Sequence, residues 1–187
     1  MMHKGLGGTL KLGVVPTFAT RWLLPKLHKL NAQHPEITVH LETSTKPFLF
    51  NENVFDAAIF AGTQQQIEHW PGIQAHYLMD EEVVPVCSPA LIQNRLPEAV
   101  MQNEYSYDLS DEELLLMPLL QQTTRPYAWR QWFNAQDMNV PRDMTGPRYE
   151  LFSMLAQAAM HEMGVALIPP FLIQRELAEK RLVDRKS

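Results

Sequence analysis

The chain has 187 residues, 45% of them hydrophobic and 20% charged, and its 16 basic against 21 acidic side chains give a net charge of −5. No apolar run approaches the roughly 18 residues a membrane span needs, and the opening "MMHKGLGG" lacks the apolar core of a signal peptide, so a cytoplasmic location is expected. The single cysteine, Cys87, excludes an internal disulfide and a cysteine-paired zinc site, while a negative chain without a basic stripe does not itself read nucleic acid.

In chain order, strand and helix patterns alternate. "TLKLGVV" at 9–15 predicts a strand that runs through Pro16-Thr17-Phe18 into a helix, whose apolar face is Leu23, Leu27 and Leu30 with Leu24 beside them. That junction has two readings. Thr17 or Thr20 caps the helix with its hydroxyl, or the unpaired N–H groups of the helix start hold an anion. Pro25 lacks the N–H of an ongoing helix and predicts a kink or a restart. "AQHP" at 32–35 ends the helix, because a residue before proline avoids the α region. "ITVHLET" at 37–43 alternates as a half-buried strand. "FDAAIFAGT" at 55–63 reads as a short buried strand ending at Gly62, where the chain can turn. "EEVVPVCSP" at 81–89 is a further strand, and its Pro85 suits an edge or a crossing segment.

A polar stretch then leads to Ser110-Asp111-Glu112-Glu113, the spacing of a capping box. "PLLQQTT" at 118–124 is strand-like and passes straight into a helix over "RPYAWRQWFNAQ". "TGPRYE" opens the helix "LFSMLAQAAMHEM", which Gly164 ends. "GVALIPP" at 164–170 is a buried strand, "FLIQRELAEK" a helix and "RLVD" a last short strand. Two groups of strand–helix units joined by a crossing strand predict an α/β architecture of two lobes around a cleft. Ligands of such sheets sit beyond the carboxyl ends of the strands, and three of those junctions carry hydroxyls or aromatics: Pro16-Thr17-Phe18, Gln122-Thr123-Thr124, and Tyr149 ahead of Phe152.

Catalytic and metal signatures are missing. Of seven histidines, His28 and His34 stand six apart, which is no ligand spacing, and His69, His76 and His161 stand alone. No metal and no cofactor is expected. Trp129, Trp132 and Phe133 read as core rather than as a cofactor stack, and Asp80-Glu81-Glu82 and Asp111-Glu112-Glu113 as solvated faces. Cys87 has no adjacent base, and neither G-x-S-x-G nor a glycine-rich phosphate loop occurs. No residue is nominated as catalytic.

Together these stretches resemble the effector-binding domain of LysR-type bacterial transcriptional regulators. "GVVPTFATRWLLPKLHKLNAQHP" is similar to that family's first strand and helix. "FDAAIFAGT" resembles its D-x-A-I-R-x-G element, with Phe60 in place of the arginine, and "GVALIPPFLIQRELAEKRLV" resembles its closing segment. "RPYAWRQWF" points to the branch of the glycine-cleavage and β-lactamase gene activators. The resemblance implies a type 2 periplasmic-binding-protein fold, with lobe I from 1–86 plus 177–187 and lobe II from 87–176. It also implies that the family's DNA-binding winged helix-turn-helix and the final strand of lobe I lie outside this sequence.

Carried over by position, the resemblance places effector contacts at Thr17 and Phe18, at Phe60, Ala61 and Gly62, and at Thr123 and Thr124 on a helix start, with Tyr149 and Phe152 on the opposing wall. Such a set suits a small metabolite with a carboxylate and an apolar body, while Phe60 in the arginine's place argues against a strongly anionic one. The helix over 151–163 is apolar nearly all round, so it is either sandwiched within one lobe or packed on a second subunit. The resemblance implies the second: a homodimer joining Leu23, Leu27 and Leu30 to Leu151, Leu155, Ala158 and Ala159, and a tetramer in the full-length protein. The expected role is the ligand-sensing domain of a transcription regulator, not an enzyme, meeting DNA only through the other domain and no membrane. A solute-binding protein of a transport system and an enzyme on the same scaffold are the alternatives.

Overall fold

The apolar opening run forms β1 (Thr9–Val14), with its last three residues buried. In this computed structural model, which describes residues 8–46, 55–70, 72–96, 106–107 and 109–185, the chain divides into two units, Met1–Glu81 and Glu82–Ser187.

In the first unit, β1 is the central strand of a parallel sheet, between β2 (Thr38–Thr43) and β3 (Ala57–Ile59). Parallel neighbours need a crossover. It is supplied by α1 (Pro16–Phe18), a π-helical stretch at Ala19–Leu23, and α2 (Leu24–Gln33), which follow one another directly. The hydroxyl cap is not made. Val15 is the N-cap, and Pro16 fills the first helical position, where no partner exists for an N–H. Thr20 turns its hydroxyl back instead, 3.3 Å from the carbonyl oxygens of both Pro16 and Thr17.

The restart expected at Pro25 is present. In the wide π turn the Leu24 N–H reaches back to the Ala19 carbonyl, and α2 begins with proline in its first turn. β2 alternates as expected, with Val39 and Leu41 half-buried. The segment "FDAAIFAGT" yields only β3, and it is not buried: Ala57 is exposed and Ala58 and Ile59 are half-buried, because this strand is an edge with one neighbour. Nor does Gly62 take a positive φ. The chain leaves through α3 (Gln64–Glu68), where Thr63 and Gln66 form a capping box.

The second unit begins with β4 (Val84–Cys87) and α4 (Pro89–Arg95), whose cap Ser88 accepts from the Leu91 N–H at 3.1 Å. There follow β5 (Ser106–Tyr107), α5 (Asp111–Leu114), β6 (Gln121–Gln122), α6 (Ala128–Ala135), β7 (Arg148–Tyr149), α7 (Phe152–Met160), β8 (Ala166–Ile168), α8 (Gln174–Ala178) and β9 (Val183–Arg185). The polar stretch ahead of Ser110 lies largely outside the described residues. Four strands form a mixed sheet in the order β5-β9-β4-β8, and β6 and β7 pair separately in parallel. The architecture is α/β.

Several local expectations are corrected here. Pro85 lies in an interior strand, tolerated because β9 pairs with β4 only from Val86 onward. The closing residues, expected in lobe I, belong to the second unit: β9 pairs Asp184 with Val86 and Val183 with Cys87, and Val183 joins this unit's apolar core. The division between units falls after Glu81 rather than after residue 86. Helix α7 ends at Met160, and Glu162 takes the left-handed conformation (φ 61°) that Gly164 was expected to supply. Gly164 serves close packing instead, since a Cβ there would stand 2.4 Å from the Pro118 carbonyl oxygen.

Other expectations hold. Ser110 accepts from the Glu113 N–H at 3.2 Å and Glu113 from the Ser110 N–H at 2.8 Å, a complete capping box. Asp111, however, is not simply solvated: it pairs with Arg185, whose guanidinium lies 5.4 Å from the Trp132 ring centroid. Trp129 and Phe133 are fully buried core, their rings stacked at 5.5 Å. The Trp129 indole N–H donates to the Leu120 carbonyl at 2.8 Å, as a buried indole requires.

Candidate functional site

Parallel pairing brings the first unit's candidates to one edge. Val14 stands opposite Thr43 on one side and Ile59 on the other. Pro16–Phe18, Phe60–Gly62 and residues 44–46 therefore all leave from the carboxyl ends of the strands. Thr17 and Phe18 are buried, and Phe18 stacks on Trp22 at 4.7 Å, with the Lys26 ammonium 3.9 Å from the Trp22 ring centroid. Phe60 and Ala61 are half-buried and Gly62 is exposed; the Phe60 ring lies 5.5 Å from that of Trp70. Ser44, Thr45 and Lys46 escaped the sequence reading. The hydroxyl-rich "TSTK" directly after the second strand was the available signal.

The second unit repeats the arrangement. Gln122 stands opposite Tyr149 in the β6–β7 ladder, and the Thr123 N–H donates to the Tyr149 carbonyl at 2.9 Å. Thr123, Thr124, Tyr149 and Phe152 thus share one edge, so Tyr149 and Phe152 are no opposing wall to the threonines. Nor do the threonines begin a helix. Pro126 disfavours the α region at Arg125, the chain turns over 123–127, and α6 starts only at Ala128. Phe152 is buried, Tyr149 and Thr124 half-buried and Thr123 exposed. The Tyr149 hydroxyl lies 3.7 Å from the Met163 sulfur.

Arg125 also escaped the sequence reading. Its Nη1 donates to the Thr124 carbonyl at 3.2 Å and to the Thr124 Oγ1 at 3.1 Å. Its guanidinium also lies 5.7 Å from the Phe152 ring centroid. A cation is therefore present beside the hydroxyls, although Phe60 occupies the position where an arginine was expected. Among the described residues, no three His, Cys, Asp or Glu side chains gather as a metal ion would need. Burial pushes the Cys87 thiol up to about 12, which leaves it a poor nucleophile. No helix among the described residues is long and apolar enough to cross a membrane.

Residues 3–186 match the family described as the LysR substrate binding domain. The chain belongs to that family. It is 32% identical over 174 residues to the HTH-type transcriptional regulator PerR of Escherichia coli K12, covering 93% of this chain and 52% of that one. To the glycine cleavage system transcriptional activator of the same organism it is 30% identical over 176 residues, covering 94% and 53%. The chain spans about half the length of the curated relatives it matches. The effector domain of the regulator AmpR of Pseudomonas aeruginosa superposes with a TM-score of 0.76 at 26% identity, over 96% of this chain and 78% of that one. The fold is accordingly the periplasmic-binding-protein-like α/β fold of LysR effector domains. The relatives named are transcriptional regulators, which supports the regulator reading over the transport and enzyme alternatives.

The expected subunit contact is only partly available. Leu155, Ala158 and Ala159 are 1%, 5% and 0% exposed, because α7 packs on β4, β6, β7 and β8 of its own unit. Leu23 is buried as well, Leu27, Leu30 and Leu151 are half-buried, and Leu24 and Met154 stand exposed on the same two helices.

Proposed function

We propose that this chain is the ligand-sensing domain of a LysR-type transcriptional regulator and that it binds a small, carboxylate-bearing metabolite at the carboxyl ends of its strands. The observation that carries this reading is the grouping of Thr124, Arg125 and Phe152. A hydroxyl, a guanidinium and an apolar ring side by side match a carboxylate attached to an apolar body. Thr123 and Tyr149 complete this group, and Thr17, Phe18, Phe60, Ala61 and Gly62 are the proposed contacts at the first unit's own strand ends. The ligand controls transcription by favouring one of two arrangements of the sensor, since a ligand indifferent to both shifts nothing.

DNA is met through another part of a longer cytoplasmic protein, not through this negatively charged domain. The domain works as a homodimer, and the longer protein as a tetramer. Support for self-association comes from α2, none of whose residues is buried; Leu24, Leu27 and Leu30 face Leu151 and Met154 of a second copy in this arrangement.

A thermal-shift screen of amino acids and aromatic carboxylates tests the ligand class, because a molecule that binds only the folded state raises Tm. The expected hit is a carboxylate, and Thr17→Val and Thr124→Val each weaken it about tenfold or more while the free chain still folds. Amines or neutral sugars that raise Tm where carboxylates do not overturn the reading.

A further inference from the structure

The second unit contains a cavity of about 340 Å³ that shares no residue with the candidate site. Its walls include Leu115, Leu116, Met117 and Thr145, and two arginines, Arg95 and Arg142, stand in its lining. It lies at the start of the stretch 118–122, whose other end carries Thr123 and Thr124. The shape is fixed by short-range contacts. Gly146 approaches Leu119 so closely that a Cβ would come within 1.7 Å of the Leu119 carbonyl oxygen. Arg142 is held to the wall by an Nη2–H bond to the Met117 carbonyl at 3.3 Å, and the Thr145 hydroxyl donates to the Arg142 carbonyl at 2.9 Å.

Among the described residues, no carboxylate stands against the charge in this cavity. Asp143, next in sequence to Arg142, accepts two bonds from Arg130, at 2.9 and 3.1 Å. Glu162 accepts from Asn94, the neighbour of Arg95, at 3.1 Å. Among the described residues, no acidic side chain lines the cavity, and neither Arg95 nor Arg142 has a carboxylate partner. The apolar side is equally open, with Leu116 64% exposed. Two cations beside an uncovered leucine, in a volume at the lower end of small-molecule pockets, define a ligand by complementarity.

We infer that this cavity binds a small organic anion, with its carboxylate between Arg95 and Arg142 and an aliphatic body against Leu115, Leu116 and Met117. The site is independent of the effector reading above, because its residues are different and it is tested separately.

Octanoate is a suitable probe, titrated into the isotope-labelled 187-residue chain and followed by amide NMR. The inference expects saturable shifts at Leu116, Met117, Thr145 and Gly146, with a titration midpoint separate from that of any shift at Thr123 and Thr124. Octylamine, with the same tail and the opposite charge, should leave those amides unmoved. The paired substitution Arg95→Ala with Arg142→Ala weakens octanoate at least tenfold. Leu116→Asp, at an exposed position that folding does not depend on, does the same by placing a carboxylate in the mouth. Equal shifts from octylamine, shifts confined to Thr123 and Thr124, or unchanged octanoate affinity in the Leu116→Asp chain would overturn it.

Discussion

The Arg125 guanidinium lies over the ring of Phe152, 5.7 Å from its centroid, and bonds the Thr124 hydroxyl from the same side. One cation is thereby fixed at the junction of two strand ends. Removing it separates ligand recognition from folding. Arg125→Ala should weaken binding of the proposed carboxylate effector about ten- to a hundredfold, the loss of a hydrogen bond to a charged group. A part-exposed cation–π contact contributes only about 0.5–1 kcal/mol, so the urea midpoint of the free chain moves little. Titration calorimetry beside urea unfolding checks both halves.

Gly164 is a packing glycine, and Gly164→Ala should show it. The added methyl meets the Pro118 carbonyl oxygen at 2.4 Å and the Leu120 side chain at 3.0 Å. Overpacking of this kind costs about 1–3 kcal/mol. The expected result is a lower urea midpoint with an unchanged slope, the mark of lost stability in an unchanged native state.

Cys87 should resist alkylation in the native protein at pH 8 and react at once in denaturant. Burial raises its folded-state value from the ordinary 9.0 to about 12. For an acid raised in the folded state, the stabilising contribution is complete below about pH 9. It is lost as pH climbs toward 12, because the unfolded thiol ionises first. Thiol labelling against time, with and without denaturant, reads the first effect. Urea midpoints between pH 8 and 10.5, compared with those of Cys87→Ala, read the second.

Charges placed on the outer and inner faces of the two apolar helices should act differently. Ala158 is 5% exposed, so Ala158→Glu buries an unpaired charge inside its own unit and unfolds that unit. Leu24 and Met154 are 47% and 45% exposed. Leu24→Glu and Met154→Glu should split the proposed dimer while Tm measured at low protein concentration is unchanged. Sedimentation velocity of the three variants beside the parent chain decides the matter.

The alternation of strands and helices was legible because period-2 and period-3.6 apolar patterns survive burial on one face, as in β2 and α6. The capping box at Ser110 was legible because it is a local contact between residues three apart. What escaped depends on partners distant in sequence. Nothing near Ala57 says that β3 is an edge strand, and nothing near Val183 says that β4 rather than the first unit receives it. The candidate contacts fall at strand ends, as the sequence reading expected of a ligand site, but which of them share an edge was not legible. That Thr123 and Tyr149 share an edge follows from β6–β7 pairing across 26 intervening residues, and Arg125 becomes visible only once Phe152 is brought beneath it.

The π turn at Ala19–Leu23 has a bearing on how this helix can vary. A five-residue reach-back in place of four is equivalent to one extra residue spliced into an α-helix. Every side chain from Leu24 onward is therefore rotated by about 100° from the phase that α1 sets. Deleting a single residue within 19–23 would let the helix run on regularly and leave Leu27 and Leu30 on their present face. The π turn thus absorbs one residue of length: a relative one residue shorter there keeps the same leucine face in an unbroken α-helix, with its downstream leucines in the same places.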